Sequence, residues 1–409
     1  MRNDHSTSVG PRLGARVRRL HPLDWLAGGL LLTGVIAAAT GLLPAGPAQD
    51  QMRRIGPLLA FLATVIVLAE LAGRAQVFDV VAAWVARAGR GRYPLLFALC
   101  VAFASLTTIT LNLDTTAVLL TPVMLALAGR VGIAAVPLAM TTVWLANTAS
   151  LLLPVSNLTN LLAAERVALT PTGLAAVMWL PQLAALGATA LCLWVFYWRR
   201  GRRGADTYTP PPVPSPDDRV LLAVSSVACA GFLLAILVVD VPLWSASLVA
   251  TAVVVAAFAV RRRAELRLSL VPWRLLVLVP GMFLVVETVN AHGLHELLVR
   301  ALGSDDGLAG MLRTAGVGAG LANVLNNLPA YVAGEAVVPA GNHHQLLALL
   351  VGVNAGPLVT PWGSLATLLW FERCRWQGTR IGVRRFVLTG LVLAVGATGA
   401  ATCALALTV

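Results

Sequence analysis

Residues 146–162 read ANTASLLLPVSNLTNLL, and residues 356–370 read GPLVTPWGSLATLLW. Each is a polar stretch that carries Pro or Gly inside otherwise apolar sequence. Pro and Gly break a helix and free backbone N–H and C=O groups that lipid cannot satisfy. At membrane depth such backbone persists only where protein buries it or where it lines a wet cavity. We therefore predict two interrupted transmembrane helices, over 132–168 and 345–371.

The composition is that of a membrane protein. Of the 409 residues, 58% are hydrophobic and 12% are charged, and the mean hydropathy is +0.81. A soluble domain carries roughly a quarter charged residues, whereas an apolar run of about 18 residues or more can cross a bilayer as a helix. Uninterrupted spans are predicted at about 25–44, 55–72, 171–198, 220–240, 242–260, 272–290 and 386–408.

Two further apolar stretches, 93–129 and 308–341, are broken in the middle by polar residues. Each could be a pair of full spans or a hairpin that enters and leaves on one side. Arginine decides between these alternatives, because it concentrates in cytoplasmic loops. If both stretches are re-entrant hairpins and the N-terminus is inside, the external arginines are only Arg53, Arg54, Arg166, Arg300 and Arg313. The arginines before the first span, which are Arg2, Arg12, Arg16, Arg18 and Arg19, are then cytoplasmic.

The two halves of the chain repeat one order of elements. Glu70 ends a span and Asp79 follows it, just as Glu287 ends a span and Glu296 follows it. We predict an N-terminal repeat over 1–198, a proline-rich cytoplasmic linker over 199–219, a connecting helix over 220–240 and an inverted C-terminal repeat over 241–409. The predicted fold is thus an all-α polytopic membrane protein, an inverted repeat with two re-entrant helical hairpins and two interrupted transmembrane helices. Inverted repeats with broken helices are typical of secondary transporters, and a channel is the less common alternative.

Asp114 is the most informative single residue. A carboxylate at the centre of a membrane helix costs about 2.5–3.5 kcal/mol or more and normally marks an ion or proton path. The structural alternative is a buried Asp that caps the half-helix beginning near Thr115. Glu70 and Glu287 lie near span ends, where they are either interfacial carboxylates or secondary members of a proton relay.

Other chemistry is not supported by the sequence. The five cysteines are scattered and include no CxxC pair, so they indicate neither a disulfide framework nor a zinc site. His292 and His295 lack an evident third metal ligand. The sequence contains no HExxH, GxSxG or phosphate-binding loop, so we predict neither an enzyme nor an ATP-driven pump, and no cofactor or metal. The net charge of +12 lies in loops between spans, which indicates membrane topology rather than nucleic-acid binding.

Four segments resemble the ArsB arsenite/antimonite efflux family, within the ion-transporter superfamily. They are LNLDTTAVLLTP (111–122), ANTASLLLPVSNLTNLL (146–162), VLNNLPAYV (324–332) and GPLVTPWGSLATLLW (356–370). The resemblance implies export of arsenite, as the neutral trihydroxide, or of antimonite in exchange for protons. The chain departs from the family at Leu113, where the family has Asn, and at Asn147, where it has Asp.

The candidate solute- or ion-binding residues come from these segments. The family's hairpin tips map to Asn112, Asp114, Asn326 and Asn327, and its unwound segments map to Ser156, Asn157, Gly363 and Ser364. Thr115 beside Asp114 completes this set. Asp114, with Glu70 and Glu287 as secondary candidates, is the predicted proton-coupling residue.

The function that follows is proton-coupled arsenite or antimonite efflux across a bacterial plasma (inner) membrane, by a multi-pass protein with a cytoplasmic N-terminus. The alternatives are a sodium- or proton-coupled carboxylate or anion carrier, a sodium/proton antiporter and a passive metalloid channel. The predicted partners are the small solute, protons and the lipid bilayer. A homodimer and a separate soluble ATPase partner stay open.

Overall fold

The computed structural model describes residues 22–43, 45–199, 207–210, 212, 215–238, 241–305 and 307–408. The basic N-terminal residues Arg2, Arg12, Arg16, Arg18 and Arg19 lie outside the described residues, as does part of the predicted linker.

All the regular structure in the described residues is helical. The helices are α1 (Pro22–Ala39), α2 (Ala45–Arg74), α3 (Val77–Ala88), α4 (Tyr93–Leu111), α5 (Leu113–Val131), α6 (Ala135–Thr148), α7 (Leu158–Arg166), α8 (Pro171–Trp198), α9 (Arg219–Val238), α10 (Leu243–Arg261), α11 (Trp273–Val289), α12 (His295–Leu302), α13 (Leu308–Leu325), α14 (Asn327–Glu335), α15 (His343–Ala355), α16 (Leu365–Trp376) and α17 (Val383–Leu405).

Nine of the helical stretches in the described residues are long and apolar enough to cross a membrane. They include a continuous stretch over Trp273–Leu302, in which α11 runs through a kinked turn at Asn290–Leu294 into α12. The prediction of an all-α polytopic membrane protein is therefore confirmed. One helix end differs from the prediction, since α16 continues to Trp376, beyond the predicted end at 371. Its last turn contains Arg373 and Arg375, and a hydropathy pattern assigns charged residues to a loop.

Both stretches predicted as hairpins turn at an asparagine. Asn112 separates α4 from α5 with φ of 130°, and Asn326 separates α13 from α14 with φ of 105°. Positive φ is uncommon for residues other than Gly, and Asn is among those that accept it best. In each case the second arm packs against the first.

The short helix before each hairpin contacts both of its arms. Helix α3 packs on α4 and α5, and helix α12 packs on α13 and α14. The two arms of a hairpin thus share one neighbour at its base, which supports entry and exit on one side. That the hairpins are re-entrant in a bilayer stays a prediction.

The two interrupted helices cross each other. Residues 149–157 separate α6 from α7, and residues 356–364 separate α15 from α16. The first half of each packs against the second half of the other, because α6 contacts α16 and α15 contacts α7.

Further pairings have the same reciprocal form. Helix α1 packs along α11 while α2 packs along α10, and α8 packs along α17. These pairings are those that two corresponding halves would make. The inversion of one half relative to the other, and the domain boundaries at 198, 219 and 240, stay predictions.

Part of the linker is docked on the helical body. Tyr208 is buried, and its hydroxyl donates to the carbonyl oxygen of Ala86 at the end of α3 (2.7 Å). The ring of Tyr93 lies 5.3 Å from that of Tyr208, and its hydroxyl donates to the carbonyl oxygen of Thr207 (3.2 Å). Further along, the N–H of Asp217 donates to Gln76 Oε1 (2.8 Å). The linker therefore holds the base of the first hairpin.

Candidate functional site

The tip of the first hairpin places a carboxyl group at the start of a helix. Asn112 caps α5, because its Oδ1 accepts a hydrogen bond from the N–H of Asp114 at 2.7 Å. Thr116 Oγ1 donates to the carbonyl oxygen of Asn112 (3.0 Å) and closes the turn. Asp114 thus lies in the first turn of α5, where the helix dipole contributes partial positive charge.

The tip of the second hairpin is bonded to the unwound segment 356–364. Asn326 Nδ2 donates to the carbonyl oxygen of Trp362 (3.0 Å), and the N–H of Asn327 donates to that of Gly363 (2.9 Å). One turn earlier, Asn323 Oδ1 accepts from the N–H groups of Val359 (3.1 Å) and Thr360 (3.0 Å). Backbone groups that the break in the helix leaves free are thereby satisfied, as membrane depth requires.

The other unwound segment is held in the same way by its own side chains. Asn160 Nδ2 donates to the carbonyl oxygens of Ser150 (2.7 Å) and Leu153 (3.0 Å). Asn157 caps α7, since its Oδ1 accepts from the N–H of Thr159 (3.3 Å). Ser156 is fully buried and bonded to the backbone of Leu153.

These elements meet at one small cavity. Asp114, Asn157, Asn326 and Asn327 line a space of about 40 Å³, which is room for a few water molecules. The rest of its lining is apolar, and α11 contributes the most residues to it, namely Leu275, Leu278, Val279 and Met282.

Four predicted residues support the cavity instead of lining it. Asn112 caps α5, and Ser156 holds the unwound segment, as described above. Gly363 accepts the bond from Asn327 through its carbonyl group. Ser364 caps α16, because its Oγ accepts from the N–H of Thr367 at 3.1 Å.

Asp114 lies where the small cavity meets a larger one. The larger space, which we call the vestibule, has a volume of about 460 Å³ and is lined by Asp24, Glu70, Asp114, Thr115, Arg274 and Arg373, among others. The Oδ1 atom of Asp114 is buried and has no hydrogen-bond partner among the described residues. A carboxyl oxygen buried in this way is available to a proton or a solute.

The charged residues of the vestibule are largely paired. Arg274 Nε lies 2.7 Å from Asp24 Oδ1. Arg74 lies 3.5 Å from Glu70 and 2.9 Å from Glu265. The small cavity differs, since its described lining includes no basic residue and only one carboxyl group, that of Asp114.

Glu70 and Glu287, which hold corresponding places in the two halves of the sequence, do not lie in the same cavity. Glu70 lines the vestibule with Asp114, whereas Glu287 lies half-buried on α11 and lines neither cavity. No group of three potential metal ligands occurs in the part of the chain that the structure describes. None of the five cysteines is in the described lining of either cavity.

Sequence reasoning missed Gln182 of α8. It is buried, its Nε2 donates to the carbonyl oxygen of Thr148 (2.9 Å), and its Oε1 accepts from the N–H of Leu151 (2.9 Å). It therefore satisfies the backbone where α6 ends. A lone Gln inside the apolar run 171–198 was the available signal.

Comparison with known proteins identifies the family. The family described as CitMHS, citrate transporter, matches residues 25–345, which is most of the chain. The chain belongs to this family. Membership makes it a multi-pass membrane transporter rather than an enzyme, as the sequence predicted.

Curated relatives carry the name that the four segments suggested. The arsenical pump membrane proteins of Yersinia enterocolitica and of Escherichia coli (strain K12) are each 27% identical to this chain, over 88% of it and 89% of their own length. The resemblance to the arsenite efflux family is therefore confirmed. The YdaH transporter of Alcanivorax borkumensis shares the fold, with a TM-score of 0.52 at 16% identity over 94% of this chain and 97% of the other.

Proposed function

We propose that the protein is a secondary active transporter that exports arsenite or antimonite across a bacterial plasma membrane in exchange for protons. The observation that carries the proposal is the position of Asp114, a buried carboxyl group with an unpartnered oxygen where the small cavity meets the vestibule. The names of the curated relatives support the choice of solute.

The chemistry of the cavity suits a neutral hydroxylated solute. Asn157, Asn326 and Asn327 carry amide groups that can both donate to and accept from hydroxyl groups. The described lining offers no positive side chain to balance an anion. As the trihydroxide, arsenite is neutral and presents three hydroxyl groups, so it matches this lining.

In the proposed cycle Asp114 alternates between proton and solute. With Asp114 ionised, the solute's hydroxyl groups donate to the carboxylate and bind the neighbouring amides. When the solute has left on the external side, Asp114 takes a proton there and releases it on the cytoplasmic side. One neutral solute moves out for each proton that moves in, so the cycle carries charge.

A carboxylate carrier is the second candidate, since the family description names citrate. Without a basic residue in the described lining, a carboxylate would depend on the N-terminal ends of α5, α7, α14 and α16 and on a bound cation such as Na⁺. The two candidates therefore differ in whether binding needs sodium.

The deciding experiment is arsenite accumulation in everted membrane vesicles energised by respiration, with and without an uncoupler. The proposal expects accumulation that the uncoupler abolishes. If the inserted protein accumulates no arsenite, and citrate uptake depends on sodium instead, the carboxylate carrier replaces the metalloid exporter.

A further inference from the structure

Two asparagines occupy corresponding places on the interrupted helices. Asn147 of α6 lies ten residues before Asn157, which caps α7, and Asn354 of α15 lies ten residues before Ser364, which caps α16. Each reaches across to the other interrupted helix. Asn354 donates to Asn160 of α7, and Asn147 donates to Thr367 of α16.

The two contacts are unequal. Asn354 Nδ2 lies 2.6 Å from Asn160 Oδ1, while Asn354 Oδ1 accepts from Asn157 Nδ2 (2.9 Å) and Thr159 Oγ1 (2.7 Å). Asn147 Nδ2 lies 3.4 Å from Thr367 Oγ1, and its Oδ1 is buried without a partner among the described residues. The chain thus supplies a strong contact at Asn354 and a weak counterpart at Asn147.

The hydrogen bonds of Asn354 join the side-chain amides of Asn160, Asn354 and Asn157 into a chain and fix the orientation of each. Asn160 must direct its NH₂ group toward the carbonyl oxygens of Ser150 and Leu153, so its Oδ1 faces Asn354. Asn354 must therefore donate its NH₂ group to Asn160, which leaves the Oδ1 atom of Asn354 facing Asn157. Asn157 must in turn present Nδ2 to Asn354.

Asn157 is the last of these three hydrogen-bonded amides, and it lines the small cavity. One N–H of its amide is committed to Asn354, and its Oδ1 is directed to the N–H of Thr159. The second N–H of Nδ2 remains for a solute. Asn157, Asn160 and Asn354 are at most 3% exposed, so a polar group that loses its partner here is left buried.

We propose that Asn354 is a positioning residue, which sets the amide of Asn157 for the solute and joins the two interrupted helices into one unit. Its effect on the solute passes through Asn157, and this part of the inference rests on the proposed function. A purely structural polar contact would instead change the amount of folded protein and leave solute affinity alone.

The test is a double-mutant cycle on arsenite transport in proteoliposomes. We expect Asn354→Ala and Asn157→Ala each to raise the KM for arsenite about tenfold, since each removes the properly oriented amide. We expect the double variant to have the KM of Asn157→Ala alone, because a residue that acts through another adds nothing once that other is gone. Additive effects on KM would overturn the inference.

Asn147→Ala is the matched control, since the side chain of Asn147 donates to Val143 and Thr367, neither of which lines the small cavity. Its KM should equal that of the wild type, and a KM raised as much as in Asn354→Ala would refute a specific role for Asn354. Asn354→Asp serves where Asn354→Ala does not fold. It keeps the acceptor that orients Asn157, so its KM should stay near that of the wild type, and a KM raised as much as tenfold would overturn the inference.

A second cycle needs no solute. The melting temperatures of the purified wild type, Asn354→Ala, Asn157→Ala and the double variant should be non-additive if Asn354 and Asn157 form one unit. If the wild type carries no arsenite, the proposed function fails, while this melting cycle still decides whether Asn354 and Asn157 form one unit. Additive melting shifts would overturn the coupling of Asn354 to Asn157 whatever the solute is.

Discussion

Replacing Asp114 by asparagine should uncouple transport from the proton gradient. Because the described lining of the small cavity has one carboxyl group, we expect one proton for each neutral solute. A gradient of one pH unit is then equivalent to about 1.4 kcal/mol and supports an accumulation ratio of about ten. A membrane potential of about 100 mV is equivalent to about 2.3 kcal/mol and supports a ratio of about 45.

Asp114→Asn keeps the shape of the side chain and its place in the first turn of α5, but it removes the group that exchanges the proton. In proteoliposomes with an imposed pH gradient or potassium diffusion potential, the accumulation ratio of arsenite should fall from these values to about one. Downhill flux should persist, because the amides of the cavity remain.

The control is Asp305→Asn, an isosteric change at an exposed loop residue outside both cavities. It should accumulate arsenite like the wild type. Concentrative uptake by Asp114→Asn, in protein shown to be folded and inserted, would refute the role of Asp114 and with it the coupling scheme.

Two further predictions concern stability. Gly352→Ala should destabilise the protein by about 1–3 kcal/mol in thermal melts, because a Cβ there would overlap the carbonyl oxygen of Ala315 where α15 packs on α13. Gly399→Ala on α17, whose Cβ would meet nothing within 4 Å, is the control and should be neutral or stabilising. Asp218→Asn should melt at a lower temperature than the wild type at pH 7, because the hydrogen bond from Arg261 (2.6 Å) holds the pKa of the Asp218 carboxyl below its usual range. That stabilisation is present above the ordinary pKa and is lost as the pH falls through the lowered one, so the difference should vanish in acid; a difference that persists there contradicts the ion pair.

The breaks in the helices could be predicted from the sequence. Asn112 and Asn326 stand inside long apolar runs, and Pro and Gly near residues 154 and 357 weaken a helix there. The structure has its hairpin turns and interruptions at these places. Local sequence therefore marks where a helix can break, and the polar neighbours distinguish these places from Pro181 and Pro280, which lie inside continuous helices.

Which polar residues line the cavities, and which only support them, could not be predicted in this way. Ser156, Ser364 and Asn157 look equivalent as short polar residues in unwound segments, yet only Asn157 reaches the cavity. Glu70 and Glu287 look equivalent by repeat position, yet only Glu70 shares the vestibule with Asp114. These differences depend on which distant helices pack together, and periodicity within one segment carries no such information.

The docked linker has a consequence for dividing the chain into two pieces. Tyr208 is buried against α3 and α4, so in packing terms it belongs to the N-terminal half, although it lies in the connection between the halves. A cut after Pro210 would leave Tyr208 on the N-terminal fragment, which it stabilises. A cut before Thr207 would move Tyr208 to the C-terminal fragment, and the base of the first hairpin, on the N-terminal fragment, would then have to bind it from a separate molecule. The junction between the halves in sequence is therefore not the junction between them in space, and a split transporter should be divided according to the latter.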